Sequence, residues 1–422
     1  MLIGEKSVYI IGAGISGLVA AIELEKAGYF PVILEASDSI GGRVKTDESY
    51  GYLLDQGFQV LLTSYPELSR YLDLDKLNLK KFKAGAVILE SGGETYAIHD
   101  PIRNPLKVFA MAFSNVGTLW DKYKMYALTK KLKEKSIEAI FASPQKSTLA
   151  YLEDFGFSKQ IIHNFFKPFF SGVFLEDKLS TSSRMFEFVF KMFGQGQAAI
   201  PEKGMGQITK QLFAQLEHTQ VRFNTRVSLV ENNTIHLDSG NTLTADQIII
   251  ATAPGKIIGQ ENLNYRKVTN LYFTLQQSFI AKPMIGLVPD DKFMINNLVF
   301  LTDVSNKYAS DGRALLSVSI IKDVKGLENL ETLVAMELEE LTGIDANYFE
   351  HIKTYSIEKA LPILTDVKNT APLQHVKLFD NVFLAGDQLL NGSINAAMTS
   401  GRLAVEALVA NAQTQDSETR KK

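Results

Sequence analysis

Between Val8 and Leu34 the chain carries the pattern that most restricts its fold. An unbroken apolar run, Val8-Tyr9-Ile10-Ile11, stops at Gly12-Ala13-Gly14-Ile15-Ser16-Gly17, and a helical pattern follows. A short apolar run without alternation reads as a parallel strand buried on both faces. From Ile15 to Ala27, Leu18, Ala21, Ile22 and Leu24 fit one helix. Gly28 stands where a left-handed residue closes it, and Val32-Ile33-Leu34 is a second short strand. Together these make a βαβ unit. Gly12 permits the tight turn, Gly14 lets backbone approach a pyrophosphate at the positive end of the helix, and Gly17 lets helix pack on strand. Ile15 and Ser16 open that helix and are grouped with the glycines as candidate cofactor residues. Glu35, followed by Ala36, ends the second strand 18 positions beyond Gly17, where a carboxylate accepts hydrogen bonds from an adenosine ribose. A bound dinucleotide follows. The spacing alone does not separate NAD from FAD, and the carboxylate disfavours a 2′-phosphate.

Two further motifs extend this site. Gly41-Gly42-Arg43 lies just beyond the second strand. Alone it is a loop with a surface charge; beside the first motif, its glycines bring backbone to the phosphates and its guanidinium neutralises them. Far along the chain, Gly386-Asp387 follows the buried strand Val382-Phe383-Leu384-Ala385, and Ser393-Ile394-Asn395 opens the last helix. An Asp after a strand binds ribityl hydroxyls or a phosphate. A helix start offers N–H groups and positive dipole, which suits the charge on the pyrimidine side of a reduced flavin. A plain helix cap is the competing explanation.

Composition narrows the class. The 422 residues are 45% hydrophobic and 22% charged, an ordinary globular balance, and the length suggests two domains with one inserted in the other. A formal net charge of -3 steers nothing to nucleic acid, so no nucleic-acid partner is expected. Cysteine is absent, which excludes disulfides, thiolate metal sites and a flavin tethered through sulfur; it also fits a reducing compartment, hence a cytoplasmic location. No apolar run approaches the roughly 20 residues of a membrane span, and the N-terminus has no basic leader. The six histidines show no ligand spacing, and no metal is expected.

The three motifs, in this order, resemble the flavin amine oxidase superfamily, which includes monoamine oxidases, protoporphyrinogen oxidases and phytoene-type carotenoid desaturases. Val8 through Gly41-Gly42-Arg43-Val44 is close to its N-terminal signature, and Leu384-Ala385-Gly386-Asp387 with Ser393-Ile394-Asn395 to its C-terminal one. Arg226-Val227 is similar to the place where a valine strand meets the adenine. Ile248 to Pro254 is similar to the strand that closes the FAD sheet, and Pro201-Glu202-Lys203-Gly204-Met205-Gly206 to the turn that restarts the FAD domain. The resemblance implies non-covalent FAD and transfer of hydride from a substrate C–H bond to flavin N5. Two departures count against an amine substrate. Asn270 stands where the family's amine oxidases keep a lysine, and Ser393 where they keep an aromatic. An apolar organic substrate, desaturase-like or porphyrinogen-oxidase-like, is therefore expected, with an amine oxidase and a non-catalytic flavoprotein as alternatives. No catalytic residue is named; Tyr355 resembles a position near the flavin.

The resulting expectation is an α/β chain: a Rossmann-type FAD domain from 1–85, 203–257 and 355–412, with an α+β substrate domain, 86–202 and 258–354, inserted in it. The FAD domain carries an antiparallel hairpin over 221–245, and residues 413–422 form a disordered tail. Phenylalanines crowd the inserted helices, among them Phe165, Phe166, Phe169, Phe170, Phe174, Phe186, Phe188, Phe190 and Phe193. They serve either as packing or as an apolar tunnel over the flavin. Lys122, Lys124, Lys130, Lys131, Lys133 and Lys135 flank a stripe of Met125, Leu128 and Leu132. That is a solvated helix or, in the alternative, a peripheral membrane contact. Oligomeric state is not legible.

Overall fold

The computed structural model describes residues 6–99, 117–260 and 263–419. It is organised on two sheets. The first has six strands in the order Gln220–Arg222, Val32–Leu34, Val8–Ile11, Gln247–Ile250, Val382–Leu384 and Lys377–Phe379. All neighbours are parallel except the last pair. Gln247–Ile250 is buried at every position, including the polar Gln247, as a strand covered on both faces must be. The helix Ile15–Lys26 packs on this sheet and against the last helix, Ile394–Thr419; a side chain at Gly401 would collide with the Ser16 carbonyl 2.4 Å away. Helix Ile15–Lys26 ends as the sequence anticipates: Gly28 has φ +84°, and the Tyr29 N–H donates to the Leu24 carbonyl.

The second sheet has seven strands, in the order Glu350–Pro362, Tyr265–Leu275, Ala314–Ile320, Ile295–Phe300, Ile285–Leu287, Gly85–Leu89 and Thr95–His99. It is antiparallel apart from the Ile285–Leu287 and Gly85–Leu89 pair. The Phe-rich helix Lys167–Phe174 lies on it so closely that a side chain at Gly172 would sit 2.9 Å from Asn297 Oδ1. Just before that helix, Ile162–Phe166 is a π-helical turn in which the Lys167 N–H reaches back to the Ile162 carbonyl. Pro168 follows at once and has no N–H for a regular ladder, which accounts for the widened turn.

Two expectations need correction. Residues 221–245 are not one hairpin. Gln220–Arg222 joins the parallel sheet beside Val32–Leu34, and the antiparallel part is the three strands Val227–Glu231, Thr234–Leu237 and Thr242–Thr244. Asn224, at φ +51°, breaks the two apart and donates its N–H to the Ser37 carbonyl. The C-terminal tail is helical rather than disordered through Thr419, because nothing after Gly401 stops a helix. Residues 420–422 lie outside the described residues, as do 104–116 of the inserted segment. The strand Glu350–Pro362 of the second sheet runs unbroken past residue 355. Among the described residues no helix is long and apolar enough to cross a membrane.

Candidate FAD and substrate cavity

A single cavity of about 1140 Å³ runs from the glycine turn of the first sheet to the Phe-rich helices. At one end, a side chain at Gly17 would lie 2.0 Å from the Gly12 carbonyl oxygen, so helix and strand meet backbone to backbone. Gly14 precedes the helix in an extended conformation. No side chain caps that helix end and no acid stands in its first turn. The N–H groups there are claimed by no side chain, which suits an anion. Gly14 and Gly42 face each other closely: a side chain built on Gly42 would come within 3.2 Å of the Gly14 α-carbon. Glu35 is held from two sides. Its Oε2 accepts from the Ala13 N–H at 2.7 Å, and its Oε1 accepts from the Ser37 N–H and hydroxyl at 2.9 and 2.8 Å.

The third motif closes over this cradle. Arg43 donates to the buried Asp387 carboxylate and, at 3.0 Å, to the Ala360 carbonyl. Burial opposes the Arg43 charge, but Asp387 more than restores it and holds its pKa above the ordinary value. The Gly386 N–H donates to Ser400 Oγ at 2.8 Å, which ties the strand end to the last helix. Ser393 caps that helix: its Oγ accepts from the Ala396 N–H at 3.0 Å and donates to Asn391 Oδ1.

Of the sequence candidates, Gly12, Gly14, Ile15, Ser16, Glu35, Gly42, Arg43, Gly386, Asp387, Ser393 and Ile394 line the cavity. Gly17, Ala36, Val227 and Asn395 do not. Gly17 sits at the helix–strand contact, Val227 is buried in the adjoining core, and Asn395 Oδ1 accepts from the Glu67 N–H. Sequence reasoning missed Gly57, Phe58, Thr252, Leu361 and Gly392, which also line it. The turn Asp55-Gln56-Gly57 after a strand was the available signal, since Gly57 has φ +92°. Neither Asn270 nor Tyr355 reaches the cavity. Asn270 is fully buried and accepts from the Ser317 and Ser319 hydroxyls at 3.1 Å each. Tyr355 donates to Asp47 at 2.7 Å. Val268 and Ile357, on the same two strands, line the cavity instead.

At the other end the phenylalanines divide. Phe165, Phe169, Phe170, Phe174, Phe190 and Phe193 line the cavity, while Phe166, Phe186 and Phe188 are fully buried behind it. The charged lining is uneven. Besides Arg43, the cavity is lined by Lys83, Lys122, Lys146, Arg266 and Lys359, and among the described lining residues only Glu35 and Asp387, both in the cradle, are acidic. Lys146 is partly neutralised by Asp154, and burial holds the Lys122 pKa below the lysine range. No group of three potential metal ligands occurs among the described residues.

The uncapped helix start, the facing glycines and the anchored Glu35 carboxylate fit a dinucleotide, and the apolar end leaves room for a second molecule. Fold and site thus define a dinucleotide-binding class of protein with an apolar chamber beside the cradle. The chain belongs to the family of flavin-containing amine oxidoreductases, which it matches over residues 15–409. Members of this family carry a flavin, and the flavin is FAD held without a covalent bond. Coproporphyrinogen III oxidase of Bacillus subtilis (strain 168) is 26% identical over 295 residues, which cover 60% of this chain and 61% of that protein. The match thus spans about three fifths of the relative's length. Among solved structures, an oxidoreductase from Methanosarcina mazei has a TM-score of 0.72 at 18% identity, covering 95% of this chain and 100% of that one. Cyclohexylamine oxidase from Brevibacterium oxydans IH-35A has 0.66 at 15%, covering 97% and 99%. These two structures speak to fold alone.

Proposed function

We propose that this chain dehydrogenates an apolar organic substrate that carries acidic substituents, a porphyrinogen-like ring or a polyene acid. The observation that carries this reading is the cavity lining: a phenylalanine wall together with Lys83, Lys122, Lys146, Arg266 and Lys359, and no carboxylate other than Glu35 and Asp387 among the described residues. The apolar wall takes a large flat or long molecule and excludes water. The cations attract carboxylates and repel a protonated amine, an effect that reaches about 8–10 Å at moderate salt. The name of the Bacillus subtilis relative, a coproporphyrinogen oxidase, agrees with this class.

In this reading Glu35 takes the adenosine ribose, Gly14 and Gly42 with the helix start at Ile15 and Ser16 take the pyrophosphate, and Arg43 with Asp387 takes the phosphate–ribityl portion. Ser393 and Ile394 lie beside the ring, and Val227 packs behind the adenine side. Bound FAD supplies the hydride acceptor. The protein's own contribution is then to align a substrate C–H bond with the acceptor and to keep the chamber dry. The domain division of the sequence analysis is kept as part of the proposal: the first sheet holds the cofactor and the second, with the phenylalanine helices, holds the substrate.

Anaerobic reduction of the flavin tests this directly. Coproporphyrinogen III or another carboxylated apolar ring or polyene should bleach the flavin absorbance, and benzylamine and spermine should not. Rapid bleaching by either amine overturns the reading in favour of an amine oxidase. A flavin that no member of the panel reduces favours a non-catalytic flavoprotein.

A further inference from the structure

The helix Leu119–Glu134 has two faces of opposite character. Its inner stripe, Asp121, Met125, Leu128 and Leu132, is buried. Its outer face carries Leu119, Trp120, Tyr123 and Tyr126, which are 72%, 69%, 62% and 65% exposed. Four large apolar or amphipathic side chains within about two turns is a costly way to meet water. Trp120 is the only tryptophan of the chain. Tryptophan and tyrosine, with an apolar body and a polar tip, are the side chains that suit a membrane–water boundary.

The lysines of this helix divide in the same way. Lys135 pairs with the buried Glu187, and Lys131 lies over the Tyr151 and Phe155 rings at 5.4 and 5.5 Å. Lys130 and Lys133 point outward and are exposed. At 3.6 residues per turn they share the outer face with Tyr123 and Tyr126, one to two turns further on. Of the two acids on the helix, Asp121 is consumed in the capping box with Thr118, which leaves Glu134 as the outward one. Aromatics beside outward lysines are complementary to an anionic lipid surface, where the rings settle at headgroup depth and the ammonium groups meet phosphate or carboxylate. The same helix supplies Lys122 and Met125 to the cavity wall, so this face and the substrate chamber share one element.

We propose that the outer face of helix Leu119–Glu134 docks the protein on an anionic membrane surface, beside which its cavity receives an apolar substrate from the lipid. The docking is independent of the chemistry proposed above; only its purpose rests on that reading. The test therefore uses no substrate. FAD-loaded full-length protein is mixed with vesicles of phosphatidylcholine alone, or of phosphatidylcholine with phosphatidylserine, and Trp120 emission is recorded. Anionic vesicles should shift the emission to the blue and, when made with brominated lipid, quench it. Added salt should weaken both effects. Lys130→Glu with Lys133→Glu should weaken vesicle binding roughly tenfold or more, at about 1 kcal/mol per basic residue near an anionic surface. Tyr123→Ser with Tyr126→Ser should weaken sedimentation with vesicles while the thermal transition stays unchanged. Emission that anionic vesicles leave unaltered overturns the proposal. So does emission that responds to protein concentration and not to lipid, because a second copy then covers the face.

Discussion

The two ends of the cavity are built by different rules. The cofactor end is made of backbone: facing glycines, an uncapped helix start, and a carboxylate held by the Ala13 and Ser37 N–H groups. The other end is made of side chains, with phenylalanines from several helices. Backbone cradles tolerate almost no change of shape. A side-chain wall is graded: Phe166, Phe186 and Phe188 only pack, Phe170 and Phe174 both pack and line, and Phe165 and Phe169 line the cavity from a partly buried position.

The largest effect is expected inside the phenylalanine cluster. Phe166→Ala removes a ring that is 0% exposed and should cost about 3–5 kcal/mol in chemical denaturation. Phe169→Ala, on the cavity side, should cost much less stability and instead raise the KM for the bleaching substrate. Equal losses of stability would dissolve the distinction between packing and lining.

Next comes the helix–strand contact. Gly17→Ala forces a Cβ to within 2.0 Å of the Gly12 carbonyl oxygen and should destabilise the protein by roughly 3 kcal/mol. Gly14→Ala meets nothing nearer than the Gly42 α-carbon at 3.9 Å. It should leave the apoprotein melting temperature nearly unchanged and lower FAD affinity. If both substitutions act on the melting temperature alike, Gly14 has no special relation to the cofactor.

Glu35→Ala comes third, with about 2 kcal/mol less FAD binding from the loss of charge-assisted hydrogen bonds. A smaller loss of stability should accompany it, since the Ala13 N–H is left without its acceptor. Unchanged FAD affinity by equilibrium titration would remove the ribose assignment.

The smallest effect concerns Asp121, far from the cradle. Burial pushes its pKa up, but hydrogen bonds from Ser158 and Thr118 outweigh that and hold it below the usual aspartate value. A depressed folded pKa adds stability that is present above the unfolded value near 3.9 and is lost as pH falls through the folded value. Asp121→Asn should therefore cost about 1 kcal/mol at neutral pH. The gap between variant and wild-type melting temperatures should close under acid. A gap that persists at low pH would mean that charge at Asp121 contributes nothing.

Much of the cradle was legible because its requirements are local. A tight turn, a close approach of backbone and a C′ glycine each demand a particular residue at a particular offset, so Gly12, Gly14, Gly28 and Glu35 declare themselves in one dimension. Ser393 and Gly386-Asp387 were readable only as a continuation of that pattern, since a cap looks the same whether or not a ligand lies above it. Asn270 lies on the strand the pattern indicates, yet its side chain is buried behind the cavity lining, accepting from Ser317 and from Ser319, which itself lines the cavity. Strand membership follows from the apolar pattern, whereas which strand residues reach a cavity depends on bulges such as the one between Arg266 and Val268.

The amino-acid sequence thus determined the βαβ unit, the phosphate-facing glycines, the anchoring acid and the membership of an FAD-binding family, because these rest on backbone sterics within a few residues. Tertiary structure alone decided which phenylalanines line the chamber and which pack behind it. It gathered Lys83, Lys122, Lys146, Arg266 and Lys359 along one cavity, and it turned Trp120, Tyr123 and Tyr126 outward. Periodicity names the faces of a helix, but what lies against each face is set by residues distant in the chain, and no local pattern carries that information.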